Sequence, residues 1–437
     1  RAPHLGDVWD NHPRNWRLPE RNWPPLKEGE AARPPVEPSE IDLAIVLRHM
    51  AGADDGGAAV TAEVARIADL AGQFDIQTIA VEAMHNHYDE DGRYRDHFGL
   101  RDNLSQPRPG PDAETDLTKR IGSKRDDVRL GEVLCGYSTD RGDMAPASQE
   151  ETIRTSGNER LDWARDDRAQ ARKLQLNGSY LVIRKMSQDV AAFERFLDAN
   201  QHQLGQDRKA LTAKLLGRHP DGPSLIDPAA SDYNDFDYAN DTAGSRCPFA
   251  SHIRRANPRQ IEHGRPSPRI LRCGMSYGPR FQPDAAGADN RPRGLMFMAY
   301  NSSIAEQYET IQRWINGGNS TGVASANNDP LAGTPPRPDG KRTYRFEVDG
   351  RVIRTEIEQP FVRLEWGAYL FVPSRSALEE LASAGRNYYQ IEEPYENAGL
   401  KLIERLEQLP EDLAAAEWKR ITEDFDSKDL TQRDLTP

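Results

Sequence analysis

Two residues within Arg246–Gly278 (RCPFASHIRRANPRQIEHGRPSPRILRCGMSYG) have the types and setting to do chemistry, His252 and Arg272. Phe249, Ala250, Ser251 and Ile253 give the histidine small or apolar company, which keeps an imidazole neutral, as a metal or haem iron requires of a nitrogen ligand. A satisfied core histidine would look the same, because a ligand needs partners that one residue does not display. Earlier in the chain, Asp102 sits between Gly99 and Asn103. Gly and Asn tolerate left-handed backbone, so this loop bends sharply and holds its carboxylate in one direction. His85, His87 and His97 offer a metal site to weigh against plain solvated loop histidines, since no second liganding cluster has zinc spacing.

The elements that must position these groups are those of a chain long enough for two domains. At 437 residues each can bury its own core, and the boundary is placed near residue 175, giving 1–174 and 175–437. The net charge is −13, from 57 Lys and Arg against 70 Asp and Glu. That balance argues against nucleic acid or an anionic membrane as the main partner and leaves small molecules or proteins. Cys135, Cys247 and Cys273 are three cysteines without CxxC spacing, so neither a disulfide framework nor a zinc knuckle is expected. A reducing, cytoplasmic compartment is the expectation. A secreted chain is the alternative, because the sequence starts at Arg1 and an earlier segment or leader would then have been removed. No apolar run reaches the roughly 18 residues of a membrane span.

Residues 1–40 are rich in Pro, Trp and Arg and are expected to wrap a surface, anchored by Trp9, Trp16 and Trp23. Ile41–His49 and Ile76–Ala83 read as strands around a helix at Val60–Phe74, a β-α-β unit. An acidic helical stretch is expected up to about Lys173. The second half restarts with a strand at Gly178–Arg184 and an amphipathic helix near Asp189–Asn200, with Val190, Phe193, Phe196 and Leu197 on one face. Leu211–Ser245 reads as a long surface loop. Gly294–Tyr300 is a strand, Ser303–Ile315 a helix, and Asn316–Gly340 irregular. Arg342–Thr355 is a hairpin turned by Asp349-Gly350. Ala368–Pro373 is the last strong strand, and Leu378–Ala384 and Leu400–Leu409 are amphipathic helices. A split β-α-β pattern with hairpins implies α+β architecture, an antiparallel sheet with helices on one face.

The segments HFGLRDNLSQP, CPFASHIRRANPR, ILRCGMSYG, GLMFMAY and LEWGAYLFVPS, in that order from about residue 95 to 375, resemble the signatures of the dye-decolorizing peroxidases, particularly their longer subgroup. The resemblance implies two ferredoxin-like domains with haem b in the second. It implies that hydrogen peroxide is reduced through a ferryl intermediate while dyes, phenols or similar donors are oxidised. His252 then matches the proximal iron ligand, Asp102 the carboxylate of the G-x-x-D-G loop, and Arg272 the distal arginine. Leu295 and Phe297 match the apolar residues over the distal haem face. Arg254, Arg255 and Arg259 are candidates for the propionates. Glu365 is the candidate carboxylate behind His252. Asn103 stands where the family has its last loop glycine; its side chain is expected to narrow the peroxide pocket while the turn survives.

Each role has a physical reason. Splitting an O–O bond needs a base that moves a proton between the two oxygens and a cation for the charge on the leaving one. Bulky dyes need a path to a surface aromatic, for which Trp314 is favoured, with Tyr308, Tyr300, Trp366 and Tyr369 nearby. The same residues also have plain readings: a turn carboxylate for Asp102, a structural ion pair for Arg272, core packing for the aromatics. A haem-handling protein of the same fold with little turnover is the rival function, and a homo-oligomer is an open alternative.

Overall fold

Strand formation in this chain follows side-chain alternation, and Gly294–Asn301 displays it best: Met296 and Met298 are buried while Leu295 and Phe297, between and beside them, are half-buried. The computed structural model describes residues 2–16, 38, 41–49, 57–74, 76–110, 119, 124–142, 174–205, 207–259, 266–282, 289–318, 328–336 and 338–388, with side chains to 382. Residues 1–377 form one compact unit and 378–437 a second.

Two short strand pairs come first. β1 (His87–Tyr88) pairs antiparallel with β2 (Tyr94–Arg95), and β3 (Arg108–Gly110) pairs parallel with β4 (Asp127–Arg129). The main sheet contains β5 (Ser179–Gln188), β6 (Leu271–Arg272), β7 (Met275–Tyr277), β8 (Gly294–Asn301) and, after a separate hairpin of β9 (Arg342–Val348) and β10 (Arg351–Ile357), β11 (Val362–Val372). Its order is β11-β5-β8-β6, with β7 also on β8, and every pairing is antiparallel. The α+β architecture read from the sequence is therefore present. Asp349 and Gly350 turn the hairpin at φ 49° and 75°, the positive pair that a two-residue turn requires.

The helices are α1 (Ala2–Leu5), α2 (Ala58–Gly72), α3 (Val190–Asn200), α4 (Arg208–Leu216), α5 (His252–Ala256), α6 (Glu309–Ile315) and α7 (Arg375–Tyr388). Asp189 caps α3 by accepting from the Ala192 amide at 2.8 Å, and Asp207 caps α4 through Ala210 at 3.0 Å. Val190, Phe193, Phe196 and Leu197 bury the face of α3 that its spacing predicts. They pack with Phe98, Leu211, Leu215, Tyr344, Phe346 and Phe361 into the larger core. Each such side chain contributes about 1.5–3 kcal/mol on leaving water.

Several expectations change. Ile41–His49 and Ile76–Ala83 form no strand; only the helix between them is regular. Ile41, Val46, Ile79 and Ala80 instead lean on the second core, built from Leu181, Ile183, Met296, Met298 and Trp366. Branched side chains suit a pleated surface but do not supply the neighbouring backbone that a ladder needs. Leu211–Ser245 is not a surface loop throughout: α4 occupies its start, and Leu211, Leu215, Phe236 and Tyr238 are buried. Trp16 is an anchor, lying over Arg184 and donating to the Asn11 carbonyl at 2.9 Å, whereas Trp9 is exposed. Trp23, the stretch up to Lys173 and Leu400–Leu409 lie outside the described residues. Among the described residues no helix is long and apolar enough to cross a membrane.

Candidate active site

The loop 96–106 is built by its own hydrogen bonds. Asp96 accepts the Leu100 amide at 2.8 Å, Gly99 turns at φ 78° and Asn103 at φ 63°, and Phe98 anchors the loop on Phe193 with ring centroids 4.6 Å apart. This delivers Asp102 to Arg272 on β6. Arg272 Nη1 donates to Asp102 Oδ1 at 2.7 Å, and the Asn103 amide donates to the same oxygen at 2.6 Å. Burial alone would push the Asp102 carboxyl up, but the Arg272 charge and these two bonds outweigh it and hold it below the usual range. Asp102 is thus a carboxylate at neutral pH.

Gln106, which the sequence reading passed over, fastens loop to strand. Its Nε2 donates to the Arg272 carbonyl at 2.7 Å and to Asn103 Oδ1 at 2.6 Å, while its Oε1 accepts the Arg272 amide at 3.1 Å.

His252 opens α5 directly after Ser251. Its Nδ1 lies 2.5 Å from Asp329 Oδ2, and Asp329 Oδ1 accepts the amides of Leu331 and Ala332 at 2.7 and 3.1 Å. Burial works to lower the imidazole pKa, yet the charge and hydrogen bond of Asp329 raise it overall. The carboxylate behind His252 is therefore Asp329, not Glu365. Glu365 accepts from Tyr277 Oη at 2.9 Å and lies 3.6 Å from the buried Lys185, because it projects from β11 into a different ionic cluster. Asp329 lay in the stretch read only as irregular. The available signal was an Asp in a Pro- and Gly-rich loop, the residue type that caps amides two and three positions on.

His252, Asp102 and Arg272 are each close to one third exposed, at 32%, 31% and 29% of their side chains, although burial is the largest influence on the first two. Arg272 and Asp102 act electrostatically on His252, but no hydrogen bond joins either to it among the described residues, and Nε2 of His252 bonds to none. Arg272 is the register partner of Ala299, so it projects on the same side of the sheet as Leu295 and Phe297. A histidine with one free nitrogen, half-buried apolar side chains and a carboxylate-arginine pair whose charges reach that histidine fit an iron porphyrin.

The three arginine candidates divide. Arg254 is spent on Asp241 at 2.8 Å and on the Tyr238 and Phe249 rings, and Arg255 is buried against the Gly318 carbonyl at 3.4 Å. Arg254 is not the propionate partner expected of it, since its guanidinium is already built into the fold, whereas the 3.4 Å contact of Arg255 does not commit its guanidinium. Arg259 donates to the carbonyls of Asn234 and Phe236 at 2.8 and 3.1 Å. Burial and the charges of Arg218 and Arg269 bring it down to about 10, so it carries positive charge in a cationic cluster suited to carboxylates.

Trp314 and Tyr308, the candidates for surface electron transfer, are only 6% and 3% exposed. Trp314 belongs to a small core with Ile311 and Ile315 because its end of α6 packs inward. The exposed ring of the group is Tyr369, 6.0 Å from Tyr308, with Phe297 6.1 Å from Tyr308 in turn. His85, His87 and His97 do meet, ring to ring at 4.6 and 4.8 Å, but His87 and His97 each hold a backbone carbonyl. Among the described residues no His, Cys, Asp and Glu group of three or more is placed to hold a metal ion.

Residues 151–329 match the family described as Dyp-type peroxidase, C-terminal. The chain belongs to the DyP-type peroxidase family. It is 31% identical over 333 residues to the dye-decolorizing peroxidase msp1 of Mycetinis scorodonius, covering 67% of this chain and 58% of that protein. It is 30% identical over 319 residues to the multifunctional dye peroxidase DyP2 of an Amycolatopsis species, covering 65% and 61%. The chain thus spans less than two thirds of these relatives' length. Among solved structures, a dye-decolorizing peroxidase in complex with 2,6-dimethoxyphenol superposes with a TM-score of 0.56 at 22% identity, covering 74% of this chain and 70% of that one. This likeness carries the ferredoxin-like α+β fold of the DyP-type family.

Proposed function

We propose that the protein is a haem b peroxidase that reduces hydrogen peroxide and oxidises dyes, phenols or similar small aromatic donors. The observation that carries the reading is the Asp102–Arg272 pair at 2.7 Å, facing a histidine whose Nδ1 is held by Asp329. A carrier needs only a ligand and a pocket; an ionised carboxylate fixed on an arginine suits peroxide cleavage. The naming of the relatives as a dye-decolorizing peroxidase and a multifunctional dye peroxidase supports the same reading.

His252 would hold the iron through Nε2, Leu295 and Phe297 would cover the opposite face, and Arg259 with its neighbours would meet the propionates. A haem bound there would supply a redox-active iron for reducing peroxide and oxidising the donor. Asp102 takes the proton from one peroxide oxygen and delivers it to the other, a role worth about 10²–10⁴ in rate. Arg272 stabilises the charge on the leaving oxygen and keeps Asp102 ionised. Asp329 makes the His252 imidazole a stronger donor.

The test is spectroscopic. Purified protein should carry a Soret band that shifts with one equivalent of peroxide and returns when a phenol is added. No haem uptake rejects the proposal, and a haem band unmoved by peroxide favours a haem-handling role.

A further inference from the structure

The turn that carries Asp329 is closed by its own hydrogen bonds. Asp329 Oδ1 takes the Leu331 and Ala332 amides, and the Asp329 carbonyl accepts the Gly333 amide at 3.1 Å. Those bonds move with the turn, so its place is set by what reaches outside it. Leu331 is buried in the larger core, but apolar packing is non-directional, whereas a carboxylate 2.5 Å from an imidazole nitrogen has to be aimed. Directional bonds hold the turn at three points. The Asp329 amide donates to the Ile315 carbonyl at 2.9 Å, where α6 ends. Arg342, at the start of β9, donates to the carbonyls of Gly333 and, at 2.6 Å, Pro330. Thr334 ties the far end of the turn to the N-terminal segment.

Thr334 is buried, and both its hydroxyl and its amide are used in this tie. The hydroxyl donates to the Gly6 carbonyl at 2.7 Å and accepts from Asn11 Nδ2 at 3.3 Å. The amide donates to Asn316 Oδ1 at 2.8 Å, and Asn316 Nδ2 donates in turn to the Leu5 carbonyl at 2.9 Å. The segment from Leu5 to Asn11 is itself anchored on the main sheet. Asp7 pairs with Arg184 of β5, both buried, and Asn11 Oδ1 accepts the Leu364 amide of β11 at 2.9 Å. Gly6 lies at φ 75°, and a Cβ there would strike the Asn316 side chain, so only glycine lets this backbone come so close.

We infer that Thr334 is a positioning residue: it carries the anchored place of the segment 5–11 into the Asp329 turn and so sets the hydrogen bond between Asp329 and His252. The N-terminal segment is thereby part of the site. The consequence for iron rests on the peroxidase reading above.

The experiment reads the proton between His252 Nδ1 and Asp329 Oδ2 by proton NMR of the full chain, assigned by its loss in Asp329→Asn. In so short a charge-assisted bond it resonates downfield of ordinary imidazole N–H protons. Thr334→Val, which keeps the shape and removes the hydroxyl, should move the resonance upfield and quicken its exchange with solvent. Thr334→Ser, which keeps the hydroxyl, should leave it near the wild-type position. In the haem-loaded chain Thr334→Val should also speed haem transfer to a competing apoprotein about tenfold, and Thr334→Ser should not. If Thr334→Val does not fold, Asn11→Ala removes one of the two bonds to the same hydroxyl from a less buried side chain and should shift the resonance the same way. An unmoved resonance in Thr334→Val, or in Asn11→Ala where that variant is the one measured, overturns the inference, and so does equal movement in Thr334→Ser. A moved resonance with unaltered haem transfer overturns the extension to iron alone. A chain that takes up no haem defeats the peroxidase reading, and the resonance then decides the placement of Asp329.

Discussion

His252 Nδ1 and Asp329 Oδ2 lie 2.5 Å apart although 77 positions separate them in the chain. The carboxylate has no exposed side-chain surface and is kept ionised by the imidazole and two backbone amides, against the push of burial. It therefore presents a full negative charge to Nδ1 of His252, the nitrogen opposite the one proposed to hold iron. Asp329→Asn should weaken haem retention about 10–100-fold, the usual range for loss of a ligand's outer partner. Haem transfer to a competing apoprotein measures it, and unchanged transfer would assign Asp329 to loop structure alone.

Asp102 and Arg272 make separable predictions. Asp102→Asn should slow the bimolecular reaction with peroxide by about 10²–10⁴. Arg272→Leu should slow it by about 10²–10³ and also raise the acid limb of the pH profile, because the guanidinium is what depresses the carboxyl. Stopped-flow rates across pH 3–8 decide both points; an acid limb that stays put in Arg272→Leu would sink the electrostatic account.

Asp96 gives a pH dependence of stability. Burial pushes its carboxyl up to about 7, with the Leu100 amide and Gln188 opposing only in part. The folded protein then holds a proton that the unfolded chain releases near pH 4. This contribution is complete below about pH 4 and is lost as pH rises through about 7, on the order of 2–4 kcal/mol. Denaturation midpoints should fall over that window, and Asp96→Asn should flatten the fall. Identical slopes in both proteins would contradict the assignment.

Packing behind the loop is the remaining lever. Phe193 is fully buried, with Phe98 at 4.6 Å and Phe361 at 5.4 Å between ring centroids. Phe193→Ala should cost about 3–5 kcal/mol by denaturant titration. Hydrogen exchange should also quicken in residues 96–103, since Phe98 loses its seat; unaltered exchange there would show that the hydrogen bonds of Asp96 suffice.

What could be read from the sequence was whatever repeats locally or is held in short motifs. The period of Val190, Phe193 and Leu197 fixed α3, the alternation in Gly294–Asn301 fixed β8, and Asp349-Gly350 fixed the hairpin, because each depends on backbone and side-chain geometry within a few residues. His252, Asp102 and Arg272 were legible through the ordered segments around them. The tertiary structure alone decided which carboxylate backs His252, which arginines are spent on structure, and which aromatic ring reaches solvent. Asp329 beats Glu365, Arg254 is absorbed by Asp241, and Trp314 turns inward. The physical reason is common to all three: a side chain's charge, hydrogen bonds and exposure are set by neighbours brought from distant parts of the chain. For the same reason Ile41–His49 has a strand's composition but pairs with no strand among the described residues.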